Sequence, residues 1–176
     1  HKINMIDTPG YFDFAGEVMQ GLRVANAGLI LCTAKNGVEV GTEKSWKYVS
    51  DRALPRMFYI SKLDEEHADF VGTAAALRNA FGSSVCPIML PIVDGGKLTG
   101  YVDIPKNKAF AFDGKAYAEC PIPGDVADQV EEYRMALTEA VAETDDALME
   151  KYLMGEELTI DEIKTCIRKS TIANHI

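Results

Sequence analysis

Apolar residues in the first half of the chain alternate between short runs and stripes with helical spacing. The runs predict strands at residues 2–6, 28–34 and 56–60, and the run at 28–34 is typical of a strand buried on both faces. The stripes predict a helix over residues 11–26 and a second helix from a cap at Thr42 to about Ala53. A third helix is predicted to end at Gly82, and its apolar face consists of Phe70, Ala74, Leu77 and Phe81. Three consecutive strand–helix units predict parallel strands in an open α/β sheet.

The pattern changes at Val85. Short strands are predicted at residues 85–93, 97–104, 108–112 and 115–119, with turns at Asp94-Gly95-Gly96 and Asp113-Gly114. Helices are predicted over residues 126–141 and 145–154, and a third opens with a capping box formed by Thr159 and Glu162. We therefore expect an α/β core over residues 1–84 and a small α+β subdomain over residues 85–176.

Charge divides the chain in a similar way. Residues 119–176 hold 14 acidic and 5 basic side chains and carry the whole net charge of −9, whereas residues 1–118 hold 13 of each. The composition, 47% apolar and 26% charged, excludes a mostly disordered chain, and the acidic balance argues against a domain that wraps nucleic acid, so no DNA partner is expected. The acidic part is either a distinct interaction surface or a set of solvated helices.

Cysteine usage and hydropathy indicate a compartment. The cysteines are far apart and form no CxxC pair, which predicts buried thiols in a reducing environment rather than a zinc site, a redox motif or a disulfide scaffold. The longest apolar run, Val85 to Val93, is too short to cross a bilayer, and no signal peptide is present. We expect a cytoplasmic protein without membrane contact.

The first candidate for chemistry is the turn Asp7-Thr8-Pro9-Gly10, which follows the first predicted strand. A carboxylate at the end of a buried strand needs a partner, and magnesium, held directly or through water, would be one. A glycine beside it lets a phosphate approach the backbone, whose N–H can donate. The alternative is an ordinary turn that starts a helix.

The second candidate is Ser61-Lys62-Leu63-Asp64, after the third predicted strand. A lysine stem can lie flat along a purine ring. An aspartate two residues later can accept hydrogen bonds from two N–H groups on the edge of guanine, which adenine does not offer. The alternative is a solvated loop. Both turns are expected at the carboxyl ends of strands in one parallel sheet, where ligands bind.

Together the two motifs have the order and spacing of the DxxG and NKxD motifs of GTP-binding proteins. Residues 2–23 (KINMIDTPGYFDFAGEVMQGLR), the Ser61–Asp64 loop and residues 148–164 (LMEKYLMGEELTIDEIK) resemble bacterial translation elongation factor G. The resemblance covers essentially the whole chain. Its last segment is similar to the subdomain that elongation factor G carries inside its GTPase domain and elongation factor Tu lacks. The implied fold is α/β, a partial P-loop-type GTPase core with an inserted α+β subdomain.

The resemblance implies roles for individual residues. Asp7 would help to hold magnesium, the Gly10 amide would sense the γ-phosphate, and Lys62 and Asp64 would bind guanine. GTP, GDP and magnesium are thus the expected cofactors of a longer parent protein. The sequence has no GxxxxGK[ST] phosphate loop, so this chain alone is expected to be inactive, with no measurable binding or hydrolysis of GTP.

Two positions depart from the family pattern. Tyr11 stands where translational GTPases carry the histidine that positions the attacking water, and it either orients water or only packs at the helix start. Ser61 replaces asparagine, and its shorter hydroxyl predicts weaker guanine binding. The parent is therefore either a GTPase acting on the ribosome in translocation, or a degenerate G domain serving as a ribosome-binding scaffold or a ribosomal-protection-type protein with little hydrolysis.

The resemblance also implies partners. The inserted subdomain of elongation factor G contacts the ribosomal stalk protein, and the helix carrying Asp128, Glu131, Glu132 and Glu139 is the candidate surface for this contact; the alternative is a solvated acidic face. A sheet without its phosphate-loop strand would expose an edge and apolar surface, which predicts self-association of this chain.

Overall fold

The computed structural model describes residues 2–173. A short 3-10 turn at Phe12–Phe14 precedes the first α-helix. The elements are α1 (Ala15–Val24), β1 (Gly28–Thr33), α2 (Val40–Ser50), β2 (Arg56–Ser61), α3 (Phe70–Phe81), β3 (Met89–Asp94), β4 (Lys97–Asp103), β5 (Lys108–Phe112), β6 (Tyr117–Cys120), α4 (Ala127–Ala142), α5 (Asp146–Leu153) and α6 (Ile160–Ile172). The order confirms the predicted α/β class, with helices around a parallel pair of strands followed by an antiparallel sheet.

Strands β1 and β2 pair in parallel, in register from Gly28 opposite Arg56 to Thr33 opposite Ser61. One face of the pair packs on α2 and α3 around a core of Ile30, Cys32, Val49 and Leu77. Three aromatic rings close this core: Trp46 stacks on Phe58 with centroids 5.2 Å apart and lies 4.7 Å from Phe81, which lies 5.2 Å from Phe58.

The other face of the pair corrects the expectation that residues 28–34 are buried on both faces. Leu29 is 54% exposed and Leu31 is 64% exposed, and their parallel neighbours Met57 and Tyr59 are exposed as well. The reason is that α2 and α3 both contribute their apolar residues to the Ile30 face. Within residues 2–173, the Leu29 face is an apolar surface open to solvent.

The predicted strand at residues 2–6 is also wrong in this structure. Residues 2–10 adopt neither helix nor strand, and Ile3 and Met5 are exposed. A strand needs a neighbouring ladder, and β1 pairs with β2 alone among the strands of the described chain. The following helix starts at Ala15 rather than at residue 11, because Phe12–Phe14 form the tighter 3-10 turn.

The second half contains a four-stranded antiparallel sheet in the order β3-β4-β5-β6. Its inner face packs on α4 and α6 in a second core, whose buried residues include Leu90, Val102, Leu137, Val141 and Ile163. Both predicted turns are present: Gly95 and Gly96 have φ of 56° and 78°, and the backbone N–H of Asp113 donates to the Ala116 carbonyl.

Two strands of this sheet start later than predicted. The first starts at Met89 instead of residue 85, since Pro87 has no N–H for a ladder. The last starts at Tyr117, because the Asp113 carboxylate accepts the N–H groups of Lys115 and Ala116, both at 2.8 Å, and so extends the turn.

Helix starts are capped by side chains, with one change from the sequence prediction. The Thr159–Glu162 capping box is confirmed, and Asp145 caps α5. The residue that caps α2 is Glu39 rather than Thr42. Thr42 is buried, lies three residues after Glu39, and accepts the Glu39 N–H at 3.3 Å. The Glu39 side chain accepts the backbone N–H of Thr42, and the Thr42 side chain accepts the backbone N–H of Glu39. The two residues therefore form a capping box in which glutamate and threonine have exchanged their usual positions.

No helix among residues 2–173 has the length and apolar character needed to cross a membrane.

Candidate functional site

The loops that follow β1 and β2 are tied to each other at the carboxyl end of the parallel pair. The N–H of Ala34 donates to the Ser61 carbonyl at 2.9 Å, and the Ser61 hydroxyl donates to the Cys32 carbonyl at 3.0 Å. The buried Ala34 carbonyl accepts the Asp69 N–H at 2.8 Å and the Thr73 hydroxyl at 3.3 Å. These bonds hold the end of β2 at a defined position before the loop that carries Lys62 and Asp64.

Lys62 directly follows β2 and has a left-handed backbone, with φ of 59°. A side chain other than glycine is strained in this region, and such strain is concentrated at functional sites. The Lys62 ammonium pairs with Glu65 Oε1 at 2.9 Å, and this hydrogen bond raises the lysine pKa. Asp64, two residues on, is exposed, so its carboxylate faces solvent where an incoming base could reach it.

Asp7, Gly10 and Tyr11 line a different feature, a cavity of about 400 Å³. Its other walls come from α1, from β1 and from one side of α2 along most of its length. The Lys44 ammonium lies 4.0 Å from the centre of the Phe12 ring, a cation–π contact that ties this segment to α2. Tyr11 itself is 79% exposed.

The structure therefore separates the predicted residues into two groups. Ser61, Lys62 and Asp64 lie at the end of β2, as predicted, and they do not line the cavity beside Asp7. The sequence predicts Asp7 at the carboxyl end of a strand, but in the structure Asp7 follows a segment without regular structure. Within residues 2–173, the two groups are held by different contacts.

The predicted residues present open groups to a base, a cation and a phosphate. Asp64 has an exposed carboxylate for the base, and Asp7 has one for a cation. A side-chain carbon placed on Gly10 would meet nothing within 4 Å, so a phosphate could approach its backbone. Residues 2–173 hold no cluster of three metal-ligating side chains.

Several supporting residues are invisible to motif reasoning. Ala34, Thr73 and Lys44 have no special chemistry, yet the first two fix the loop after β2 and the third holds Phe12. The sequence signal for Thr73 is a polar residue within the apolar face of a predicted helix. Ala34 leaves no comparable signal, because its role is carried by its backbone.

Comparison with known proteins defines the class. The family described as "Elongation factor Tu GTP binding domain" matches residues 1–173 of this chain. The chain therefore belongs to this family of translation GTPase domains. Among solved structures, a crystal structure of a protein from Thermus thermophilus is similar to this chain, with a TM-score of 0.85 and 36% sequence identity. The match covers 95% of this chain, and the chain spans 25% of the length of the Thermus protein.

Proposed function

We propose that this chain is part of an elongation factor G-type GTPase that binds and hydrolyses GTP on the ribosome during translocation. The observation that carries the proposal is the strained Lys62 and exposed Asp64 directly after β2, in a loop fixed by backbone hydrogen bonds. The antiparallel sheet and three helices that follow the α/β part support the elongation factor G type in particular. The corresponding units are a core over residues 1–84 and an inserted subdomain over residues 85–176.

In this proposal the loop after β2 selects the base. Asp64 accepts two N–H groups from guanine, and the Lys62 stem covers the ring once its ammonium leaves Glu65. Ser61 already donates its hydroxyl to Cys32, so it stabilises the loop and contacts the nucleotide less than an asparagine would. Guanine is preferred over adenine because adenine would leave the Asp64 carboxylate unpaired.

Asp7, Gly10 and Tyr11 act at the phosphate end. Asp7 would hold magnesium through water, the Gly10 amide would donate to the γ-phosphate, and Tyr11 would orient the attacking water. In hydrolysis the water oxygen bonds to the γ-phosphorus, the bond from that phosphorus to the bridging oxygen breaks to release GDP, and a proton of the water passes to the phosphate that is formed. The Tyr11 phenol is exposed and can donate to water, but it lacks the charge that a histidine can carry.

The same tyrosine favours a second candidate function. A neutral phenol at this position suits a degenerate G domain that acts as a ribosome-binding scaffold or a ribosomal-protection-type protein with little hydrolysis. In both cases the protein acts in the cytoplasm with the ribosome as its partner. The stalk protein would contact α4, where Asp128, Glu131, Glu132 and Glu139 are candidate contact residues.

The deciding experiment measures GTP turnover by the intact parent protein with and without ribosomes, for wild type, Tyr11→His and Tyr11→Phe. Ribosome-stimulated turnover in the wild type that Tyr11→Phe abolishes supports the GTPase with a working tyrosine. No stimulation in the wild type, with activity restored by Tyr11→His, supports the scaffold. Equal affinity for GTP and ATP would refute both, since both require guanine recognition by Asp64.

The stalk contact has a separate test. Reversing Glu131 and Glu132 to lysine should slow ribosome-stimulated turnover in the parent protein, because the negative charge of the four candidate contact residues on α4 is cancelled. Reversing Asp161 and Glu157, which are also exposed and acidic but lie outside α4, is the matched control. Unchanged turnover in the Glu131 and Glu132 variant would show that this face is only solvated.

A further inference from the structure

The loop of residues 62–68 has both of its ends fixed on one residue, Ala34. The Ala34 N–H donates to the Ser61 carbonyl at 2.9 Å, just before the loop, and the Ala34 carbonyl accepts the Asp69 N–H at 2.8 Å, just after it. Ala34 is 2% exposed, so water does not compete for these bonds. The residue that follows β1 therefore closes the whole loop after β2.

Inside the loop there is less to hold the chain in place. Backbone hydrogen bonds there are longer, since the Glu65 N–H donates to the Lys62 carbonyl at 3.3 Å and the Ala68 N–H donates to the Glu65 carbonyl at 3.2 Å. Residues 64–67 are exposed, so packing adds little to their stability. The position of the Asp64 carboxylate consequently depends on how the ends of the loop are held.

Thr73, in the first turn of α3, supplies the side chain that completes this closure. The residue is 4% exposed, and its hydroxyl donates to the Ala34 carbonyl at 3.3 Å, beside the Asp69 N–H. A carbonyl oxygen has two lone pairs, so it accepts both donors. The Thr73 N–H also donates to the Asp69 carbonyl at 3.1 Å, so one residue joins α3, the end of the loop and the end of β1.

We propose that Thr73 is a positioning residue for guanine recognition. The inference rests on the proposed function, in which Asp64 accepts two N–H groups of the base, and a carboxylate that accepts two parallel N–H groups has to be held to within about 0.5 Å. Thr73 is buried and acts through Ala34 on the position of the loop. It therefore determines how well Asp64 distinguishes guanine from a base with fewer N–H groups.

The test compares the affinity of the intact parent protein for GDP and for IDP, whose base lacks the exocyclic amino group of guanine. Asp64 can accept two N–H groups from GDP but one from IDP, while the ribose and the phosphates are identical. The ratio of the two dissociation constants therefore reports the Asp64 contact. Thr73→Val keeps the shape of the side chain and removes the donor, so the wild-type preference for GDP should fall about 2- to 10-fold, as expected for one hydrogen bond.

Three further variants separate the hydroxyl from packing. Thr73→Ser keeps the donor and should keep the wild-type ratio, whereas Thr73→Ala, a second variant without the donor, should give the same ratio as Thr73→Val. Thr144→Val is the matched control, because the Thr144 hydroxyl donates to the Val141 carbonyl at 2.8 Å in the second half of the chain. Its ratio should equal that of the wild type, although it loses a hydroxyl in the same way.

Asp64→Asn distinguishes failure of this inference from failure of the proposed function. If the wild type prefers GDP, Asp64→Asn removes the preference and Thr73→Val keeps it, then Asp64 recognises guanine and the inference about Thr73 alone is overturned. A Thr73→Ser ratio as low as that of Thr73→Val overturns it too, since packing rather than the hydroxyl would then matter. A wild type that binds GDP no better than IDP refutes guanine recognition by Asp64 and the inference with it.

Discussion

Replacing Leu137 by alanine tests whether the second half of the chain folds around the core described above. Leu137 is 1% exposed and packs in the cluster formed by the antiparallel sheet, α4 and α6. The substitution removes three buried carbon atoms, and the lost transfer free energy is about 2.4 kcal/mol at about 0.8 kcal/mol for each carbon. The unfilled cavity adds about 1 to 1.5 kcal/mol, so the free energy of unfolding should fall by about 3.5 to 4 kcal/mol.

Urea unfolding followed by circular dichroism measures this loss. With a slope of about 2 kcal/mol per molar urea, the midpoint should fall by about 2 M. Met135→Ala is the matched control, because Met135 lies on the same helix but is 57% exposed, and it should cost less than about 1 kcal/mol. Equal losses in the two variants, or a loss below about 1.5 kcal/mol for Leu137→Ala, would refute the packing of α4 described here.

Three further predictions address charge, backbone strain and the open sheet face. Hydrogen bonds from Lys151 and from Thr159 lower the pKa of Glu162 from 4.5 to about 2, so its stabilisation is present above pH 4.5 and is lost as the pH falls toward 2. The difference in urea midpoint between wild type and Glu162→Gln should therefore shrink over that interval; a difference independent of pH would contradict the assignment. Lys62→Gly should be about 1 kcal/mol more stable than Lys62→Ala because of its left-handed backbone, while both lose guanine nucleotide affinity in the parent protein. Urea unfolding of the two variants measures this difference, and equal midpoints would argue against strain at this residue. Light scattering should show self-association of this chain through the Leu29 face, reduced by Leu31→Glu but not by Val71→Glu on α3; a wild-type monomer would count against this.

The candidate site could be predicted from sequence where local chemistry determines it. Asp64 and Lys62 follow the β2 apolar run directly, and a strand that ends there must place them at the carboxyl end of the pair. The left-handed backbone of Lys62 and the bonds of Ala34 to Ser61, Asp69 and Thr73 could not be predicted, since they depend on how two loops distant in sequence meet.

The sequence by itself determined the class of fold and most element positions, because periodicity and capping act within a few residues. The helix that starts at Thr159 and the turn at Asp113 are examples, as each depends on a side chain near its own backbone. Tertiary structure alone decided whether residues 2–6 form a strand and which faces of β1 and β2 are buried. A strand depends on a hydrogen-bonding neighbour, and burial depends on which helices cover each face, and neither is encoded in the segment itself.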